Sequence, residues 1–365
     1  MGATELITRA DAVRALGARW LPHLGAYGDE DFVCSPAGLW LALGAVAAGA
    51  RGETAEELRV LLGVAGDEAA EAVTVVAREL AGTDALDVAT GVWSGIPLLP
   101  AYRQALPDIG FGALDRDAQA RLDAWVREST GGRIGRLPLA LDGSEALVLV
   151  NALALKASWR AKFNAALTRD EPFTDVYGDT VPVPTMRQLV PARWVWTVDG
   201  TTVVELPCEG EAGPRVRFLL GAEGAGAAEV LPAAWTPDAR REPLAAEAVD
   251  LALPRFTLRT ETDVHAQLDA LGVGAASLPE AADFTGLAAK RPLWISAAVQ
   301  EAVVEVAEQG VEAAAVTVVA MTRGGAPPRH KLIARVAFDR PFGVVVLDAS
   351  GAVPLFAGWQ SSAPR

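Results

Sequence analysis

EALVLVNALAL, residues 145–155, is the stretch on which the fold turns. Its apolar side chains fall on both alternating faces, as expected of a central strand covered on each side. Strand signals continue around it. Residues 86–94 alternate, and residues 194–198 and 201–206 flank Asp199-Gly200, a strong hairpin signal. Further strands read at 249–259, 295–306, 332–338, 342–347 and 353–359, with a helix over 263–271 between them. Helical signals dominate the first third. Ser35 before Pro36 is an N-cap and first-turn pair for a helix running to Ala50. Thr54-Ala-Glu-Glu57 reads as a capping box before residues 58–62, which Gly63 ends, and residues 67–80 have a helical apolar period. Helices first and mostly antiparallel-looking strands afterwards make an α+β fold. No composition break marks a linker and no repeat has a fixed period, so one domain is expected over residues 1–365.

The composition bounds the function. Of 365 residues, 51% are hydrophobic and only 21% charged, which excludes global disorder and supports a large core. With 32 basic and 46 acidic residues the net charge is −14; such a surface repels phosphate backbones, and no basic patch offers an exception, so no nucleic-acid partner is expected. Cys34 and Cys208 are too few for a disulfide framework or a Cys-rich metal site, and Cys34 reads as a small buried hydrophobe. The first twenty residues, MGATELITRADAVRALGARW, lack the basic start and unbroken apolar stretch of a secretory signal. A cytoplasmic protein is expected, or a chain that begins after processing. The uncharged run 32–50 is short for a bilayer and reads as a buried helix, not a membrane span.

The usual catalytic constellations are missing. His23, His265 and His330 are scattered and form no HExxH pattern; there is no G-x-S-x-G elbow and no Walker loop. Gly221-Ala-Glu-Gly-Ala-Gly226 follows a strand without a P-loop lysine and reads as a surface loop, while acidic pairs such as Asp115 and Asp117 read as solvated surface. The chemistry disfavours an enzyme, a metal or a cofactor. One segment stands out: from Glu308 the chain reads EQGVEAAAVTVVAMTRGGAPPRHK. A short amphipathic helix is one reading of it. As a strand, Val311, Ala313, Ala315, Thr317, Val319 and Met321 share a small or apolar face that a sheet could bury. Arg323, two glycines and two prolines follow, an exposed cleavable sequence.

At this point the sequence resembles the serpin family over nearly its whole length. Residues 32–62, FVCSPAGLWLALGAVAAGARGETAEELRVLL, resemble the SP-containing helix and the G-A-x-G-x-T-x-x-E-L run. Trp125-Val126 with Thr130-Gly-Gly-Arg-Ile134 resembles the WV…T-x-G-K-I stretch. LVLVNALALKASW (147–159), then Phe163, Thr168 and Phe173, resembles the LVLVNA…W…F…T…F signature. Leu253-Pro-Arg-Phe256 resembles LPKF, and Ala282-Asp-Phe-Thr-Gly286 resembles ADLSG. Residues 306–315 resemble the hinge E-V-x-E-x-G-T-E-A-A-A, and Phe338-Asp-Arg-Pro-Phe342 with Leu355-Phe-Ala-Gly358 resembles the closing pattern. The resemblance is to a prokaryotic-looking member without a signal peptide; an extracellular site, as for many members, is the alternative.

The resemblance implies three β-sheets, about nine helices and an exposed reactive loop at about residues 308–331. It implies a monomeric suicide substrate for a serine protease: the loop is cleaved, an acyl-enzyme forms, and the loop inserts as a new strand that deforms the protease. A strand of about 12 residues spans roughly 40 Å. Its ladder bonds sum to something on the order of 10 kcal/mol, comparable with the stability of a protease domain, about 5–15 kcal/mol. A non-inhibitory serpin-fold binding protein is the alternative. The hinge maps to Glu308, Gln309, Gly310, Val311, Glu312, Ala313, Ala314 and Ala315, with Val311 where inhibitory members have Thr or Ser. The sheet-opening cluster maps to Ser35, Asn151, Gln300 and Trp159, with Gly38 and Gln300 where the family has a serine and a histidine. The reactive bond is read as Arg323–Gly324, favouring a trypsin-like target; Gly324–Gly325 suits an elastase-like one and Met321–Thr322 a subtilisin-like one. The segment corresponding to the heparin-binding helix, 67–84, holds Arg78 as its only basic residue, so no heparin activation is expected.

Overall fold

The computed structural model describes residues 3–24, 30–83, 86–137, 139–288, 292–311 and 332–364. Three sheets organise it. A central sheet runs in the order Gly110–Ala113, Leu86–Ser94, Leu147–Leu155, Ile295–Ala307, Gly310–Val311, Ala157–Ser158, with Phe256–Asp263 also pairing with Ile295–Ala307. A back sheet of seven strands runs from Phe32–Cys34 through Pro354–Gln360, Phe342–Leu347, Arg215–Leu220, Thr201–Pro207 and Val195–Val198 to Glu242–Pro243. A small sheet holds Ile333–Ala337, Ala248–Pro254, Thr180–Pro191 and Arg169–Thr174. The described residues contain seven α-helical segments, the longest Ala3–Trp20, and seven short 3-10 segments. Against the nine or so helices that the resemblance implies, seven α-helical segments occur among the described residues.

The opening stretch forms the Leu147–Leu155 strand, and all nine of its residues are buried. Leu147, Leu149, Leu153 and Leu155 enter the main core, whereas Val148, Val150 and Ala152 pack with Leu122 and Val126 of the Ala118–Ser129 helix. Two-sided burial is the physical reason for the apolar run. It pairs antiparallel with Leu86–Ser94 on one side and parallel with Ile295–Ala307 on the other.

Behind the sheet lies the Pro36–Ala47 helix, every residue of it buried, which explains why it is apolar all round. Ser35 is its N-cap and accepts from the Gly38 backbone N–H at 3.0 Å. Among the described residues no helix is long and apolar enough to cross a membrane. The expected hairpin is present, with Asp199 at φ 48° and Gly200 at φ 84°, the left-handed pair that its turn requires.

Three local expectations change. The helix expected to start at Thr54 starts earlier, at Gly52, and Thr54 lies inside it, buried, its hydroxyl accepting from Asp283 N at 3.0 Å. The strand expected over 249–259 is two strands in different sheets, Ala248–Pro254 and Phe256–Asp263, because the chain changes sheet at Arg255, whose N–H bonds to Pro184 O at 2.9 Å. The helix expected over 263–271 shrinks to the 3-10 segment His265–Gln267, since the strand before it runs on to Asp263.

The sheets meet on an aromatic cluster. The Phe342 ring of the back sheet lies edge-on to Phe256 of the central sheet at 5.2 Å, to Phe338 at 5.4 Å and to Phe173 of the small sheet at 6.3 Å. Phe218, also of the back sheet, contacts Trp159, Phe256 and Phe338 at 6.0–6.3 Å. Edge-to-face pairs of this kind add to the burial energy. Phe342→Ala should lower the unfolding free energy by about 3–5 kcal/mol, read from the urea midpoint at unchanged slope.

Candidate functional site

The candidate site is the seam between Leu147–Leu155 and Ile295–Ala307, which pair in parallel from Leu147↔Ile295 to Ala154↔Val303. Beyond that point the two strands part and the chain folds back between them. Gly310 pairs with Ala307 and with Ser158; Val311 pairs with Val306 and with Ala157, antiparallel on both sides. Val311 is fully buried. A Cβ on Gly310 would meet Ala157 O at 1.9 Å and Ser158 Cα at 2.7 Å, both backbone atoms that cannot swing away, so only glycine fits this wedge.

Glu308 and Gln309 fasten the wedge. Phe163 N–H donates to Glu308 O and Trp159 N–H to Gln309 O, each at 2.9 Å, and the Trp159 indole N–H donates to Ala307 O at 2.8 Å. The Glu308 carboxylate accepts from Arg255 Nε at 2.8 Å, from another Arg255 nitrogen, and from the Thr168 hydroxyl. Burial alone would push that carboxyl up, but these bonds outweigh it and hold it below the usual carboxylate value. The other hinge positions, Glu312, Ala313, Ala314 and Ala315, and the reactive-bond residues Met321, Thr322, Arg323, Gly324 and Gly325, lie outside the described residues.

Midway along the seam is a buried polar rung. Thr90, Asn151 and Gln300 are register partners on three adjacent strands. Asn151 Nδ2 donates to Thr90 Oγ1 at 2.8 Å, and Gln300 Nε2 donates to Asn151 Oδ1 and to Ser35 O, each at 2.9 Å. Gln300 Oε1 accepts from Ser35 N at 2.7 Å, and Ser35 Oγ donates to Leu355 O at 2.6 Å. The amide of Gln300 thus spends both donors and its oxygen in one place. Ser35, Asn151 and Gln300 come together as expected. Trp159 does not join them: it stands eight residues along the chain from Asn151, roughly 25 Å in extended strand, at the hinge end of the seam. At Gly38 a Cβ would meet Asn151 Oδ1 at 2.0 Å and Leu153 Cδ1 at 2.5 Å, so glycine makes room for the Asn151 amide.

One residue beyond Gln300 the opposite situation holds. The Glu301 side chain is fully buried, one oxygen paired with Arg259 and the other without a partner among the described residues. Burial pushes its carboxyl up. Sequence reading missed Thr90, Arg255, Thr168, Arg259 and Glu301 as site residues. Arg255 and Thr168 lay within quoted motifs, but their meeting at Glu308 has no local signal. No metal-ligating cluster occurs among the described residues. Both cysteines are buried, which pushes the Cys34 thiol up and the Cys208 thiol up to about 12, so neither is a ready nucleophile.

Two outcomes follow for the seam. Gly38→Ala should cost about 1–3 kcal/mol by overpacking, and less in an Asn151→Ala background, measured as a double-mutant cycle of urea unfolding. Because the Glu308 carboxyl is depressed in the folded state, its stabilisation is present above the unfolded value near 4.3 and is lost as pH falls through the lower folded value. Glu308→Gln should therefore lower the melting temperature at pH 7 and flatten the acid side of the stability profile. An unchanged acid side would show that the carboxylate is not engaged.

Comparisons with known proteins bear on this arrangement. The family model described as Serpin (serine protease inhibitor) matches residues 11–362. The leukocyte elastase inhibitor of Bos taurus is 32% identical over 272 residues, covering 72% of this chain and 71% of its own length. Among solved structures, the thermophilic serpin tengpin in its native state superposes with a TM-score of 0.83 at 23% identity, covering 99% of this chain and 95% of its own. Human thyroxine-binding globulin in complex with thyroxine superposes at 0.81 with 23% identity, covering 99% of this chain and 100% of its own.

Proposed function

The chain belongs to the serpin family, and on that premise we propose that it inhibits a serine-type endopeptidase as a suicide substrate. The observation that carries this reading is the wedge at the head of the seam. Residues 310–311 already pair antiparallel with both flanking strands. Continued residue by residue, that register brings Ala315 between Ala302 and Leu153, and Thr317 between Gln300 and Asn151. These two pairs are themselves partners across the closed seam. The two flanking registers therefore agree, and one inserted strand satisfies both edges without a slip. Its inward face would be Ala313, Ala315, Thr317 and Val319, small enough to enter a packed sheet.

In this mechanism the protease serine attacks the Arg323 carbonyl and its Oγ–C bond forms. The Arg323–Gly324 C–N bond then breaks, and the proton passes to the departing Gly324 amine. Arg323 fills the specificity pocket of a trypsin-like target by a charge-assisted pair; Met321–Thr322 and Gly324–Gly325 are the alternative bonds. Cleavage frees the hinge to extend: about ten ladder rungs form on each edge while the eight pairs of the closed seam are lost, a net gain on the order of 10 kcal/mol toward distorting the acyl-enzyme. Activation by a polyanion is no part of the proposal: the Asp67–Ala81 helix has Arg78 as its one basic residue, paired with Asp108 at 2.9 Å. The second reading, a non-inhibitory binding protein, draws on the likeness in fold to thyroxine-binding globulin; the run of alanines in the hinge speaks against it.

Mixing the protein with trypsin should give an SDS-stable adduct, and the released C-terminal peptide should begin at Gly324 by mass spectrometry. Val311→Arg should turn the inhibitor into a substrate, cleaved without adduct, because a charge at this position must enter the sheet. If trypsin, elastase and subtilisin all cut the wild-type loop and leave no adduct, the inhibitory reading fails.

A further inference from the structure

Glu301 is the most deeply buried acid among the described residues, with no exposed surface. It stands on Ile295–Ala307, one residue past Gln300. Its register partners are Glu261 on Phe256–Asp263 and Ala152 on Leu147–Leu155. One carboxylate oxygen pairs with Arg259, while Oε2 has no partner among the described residues. The pair is lopsided. The Arg259 side chain is 48% exposed and stands half in water, whereas the acid is wholly out of it. A buried charge balanced on one side only is costly, and the neutral acid escapes most of that cost.

The surrounding elements bring no second cation to this face. On its own strand the side chains that share the face are Val299, Val303 and Glu305. The Phe256–Asp263 strand adds Arg259, Glu261 and Asp263. On the other side Val150, Ala152 and Ala154 carry no charge, and one strand further Asp87 is paired with Arg133. The Ala118–Ser129 helix over this layer turns Leu122 and Val126 inward, and its Asp123 accepts from Gln119 and from Leu137 N. Burial pushes the Glu301 carboxyl up, Arg259 pulls it back, and the Glu261 charge adds to the rise; the net direction is upward.

We propose that Glu301, crowded by Glu261 and balanced by Arg259 alone, is an acid-responsive latch of the seam: charged, it weakens the closed sheet, and protonated, it lets the strands close over a neutral group. Linkage sets the direction. A carboxyl raised in the folded state contributes stability that is fully present below the unfolded value of about 4.3 and is lost as pH rises through the raised folded value. Through this group the closed sheet is firmer in mild acid than at neutral pH. Glu308, whose carboxyl is held down, acts in the opposite sense. Both groups touch the same strand pair, one at its head and one beside the Gln300 rung. The test needs no protease, so the proposal stands or falls apart from the inhibitory reading.

Melting of the full chain between about pH 5 and about pH 7.5 is the measurement. Glu301→Gln keeps the length of the acid and cannot ionise. Its melting temperature should exceed that of the wild type by a few degrees at the upper pH, and the difference should shrink as pH falls and the wild-type acid takes up its proton. A difference that does not change with pH overturns the proposal, whatever its sign. Glu261→Gln removes the repelling neighbour, and in that background the pH-dependent part should be smaller; if it is unchanged, the two carboxylates are not coupled and the proposal fails. Should the Glu301 variant not fold, Arg259→Gln, on a half-exposed side chain, tests the same device with the opposite sign. It should lower the melting temperature more at about pH 7.5 than at about pH 5, and an equal loss at both overturns the latch. Hydrogen exchange locates the effect. Corrected for intrinsic rates, the amides of Leu147–Leu155 should gain several-fold protection on acidification in the wild type and less in Glu301→Gln; equal gains overturn its placement at the seam.

Discussion

The parallel pairing of Leu147–Leu155 with Ile295–Ala307 is the constraint from which the rest of the architecture follows. Both strands are buried along most of their length, so a one-residue slip would turn apolar side chains into the wrong layer. Register is therefore strongly specified. Yet parallel pairs are slightly weaker per residue than antiparallel ones, and here the pair is already parted at one end by Gly310 and Val311. A sheet that is held in register but open at its head has one direction in which to come apart.

Polar groups hold that seam in two places and oppose it in a third. The rung Thr90–Asn151–Gln300–Ser35 is satisfied at every amide it uses across the seam, and such closed buried networks fix a single arrangement. At the hinge, Glu308 draws Arg255 and Thr168 onto the turn that starts the wedge. Between them Glu301 is a buried carboxylate with an unpaired oxygen, and burial of a half-satisfied charge costs free energy in the closed sheet. Gln300 and Glu301 are neighbours in sequence but face opposite sides of the sheet, so the same strand carries one fastening and one source of strain.

Glycine has a distinct part in each fastening. At Gly310 the neighbouring strand's backbone occupies the place of a side chain, and at Gly38 the Asn151 amide does. Gln300 reaches the Ser35 backbone on both its N–H and C=O sides, while Asn151 takes the space above Gly38, and the rung closes.

What the sequence by itself determined is local and periodic. The two-faced apolar run at 145–155, the Ser35-Pro36 cap, the Asp199-Gly200 turn and the helical period at 67–80 all depend on residues within a turn or a strand of each other, and the structure has a strand, a cap, a hairpin and a helix at those places. The family resemblance grouped Ser35, Asn151 and Gln300 with Trp159, and the first three are hydrogen-bonded to one another in the structure. Only the tertiary structure decided which sheet a strand joins: alternation continues smoothly through Pro254 and Arg255, while the chain leaves one sheet for another there. It also decided that Thr54 answers Asp283, that Trp159 belongs to the hinge, and that Thr168 and Arg255 meet on Glu308. These partners are separated by 53 to 229 residues, wherever the chain length between them is taken from the bonds just named. Periodicity reports which face of an element is apolar, but the partner across that face is chosen by packing of the whole chain.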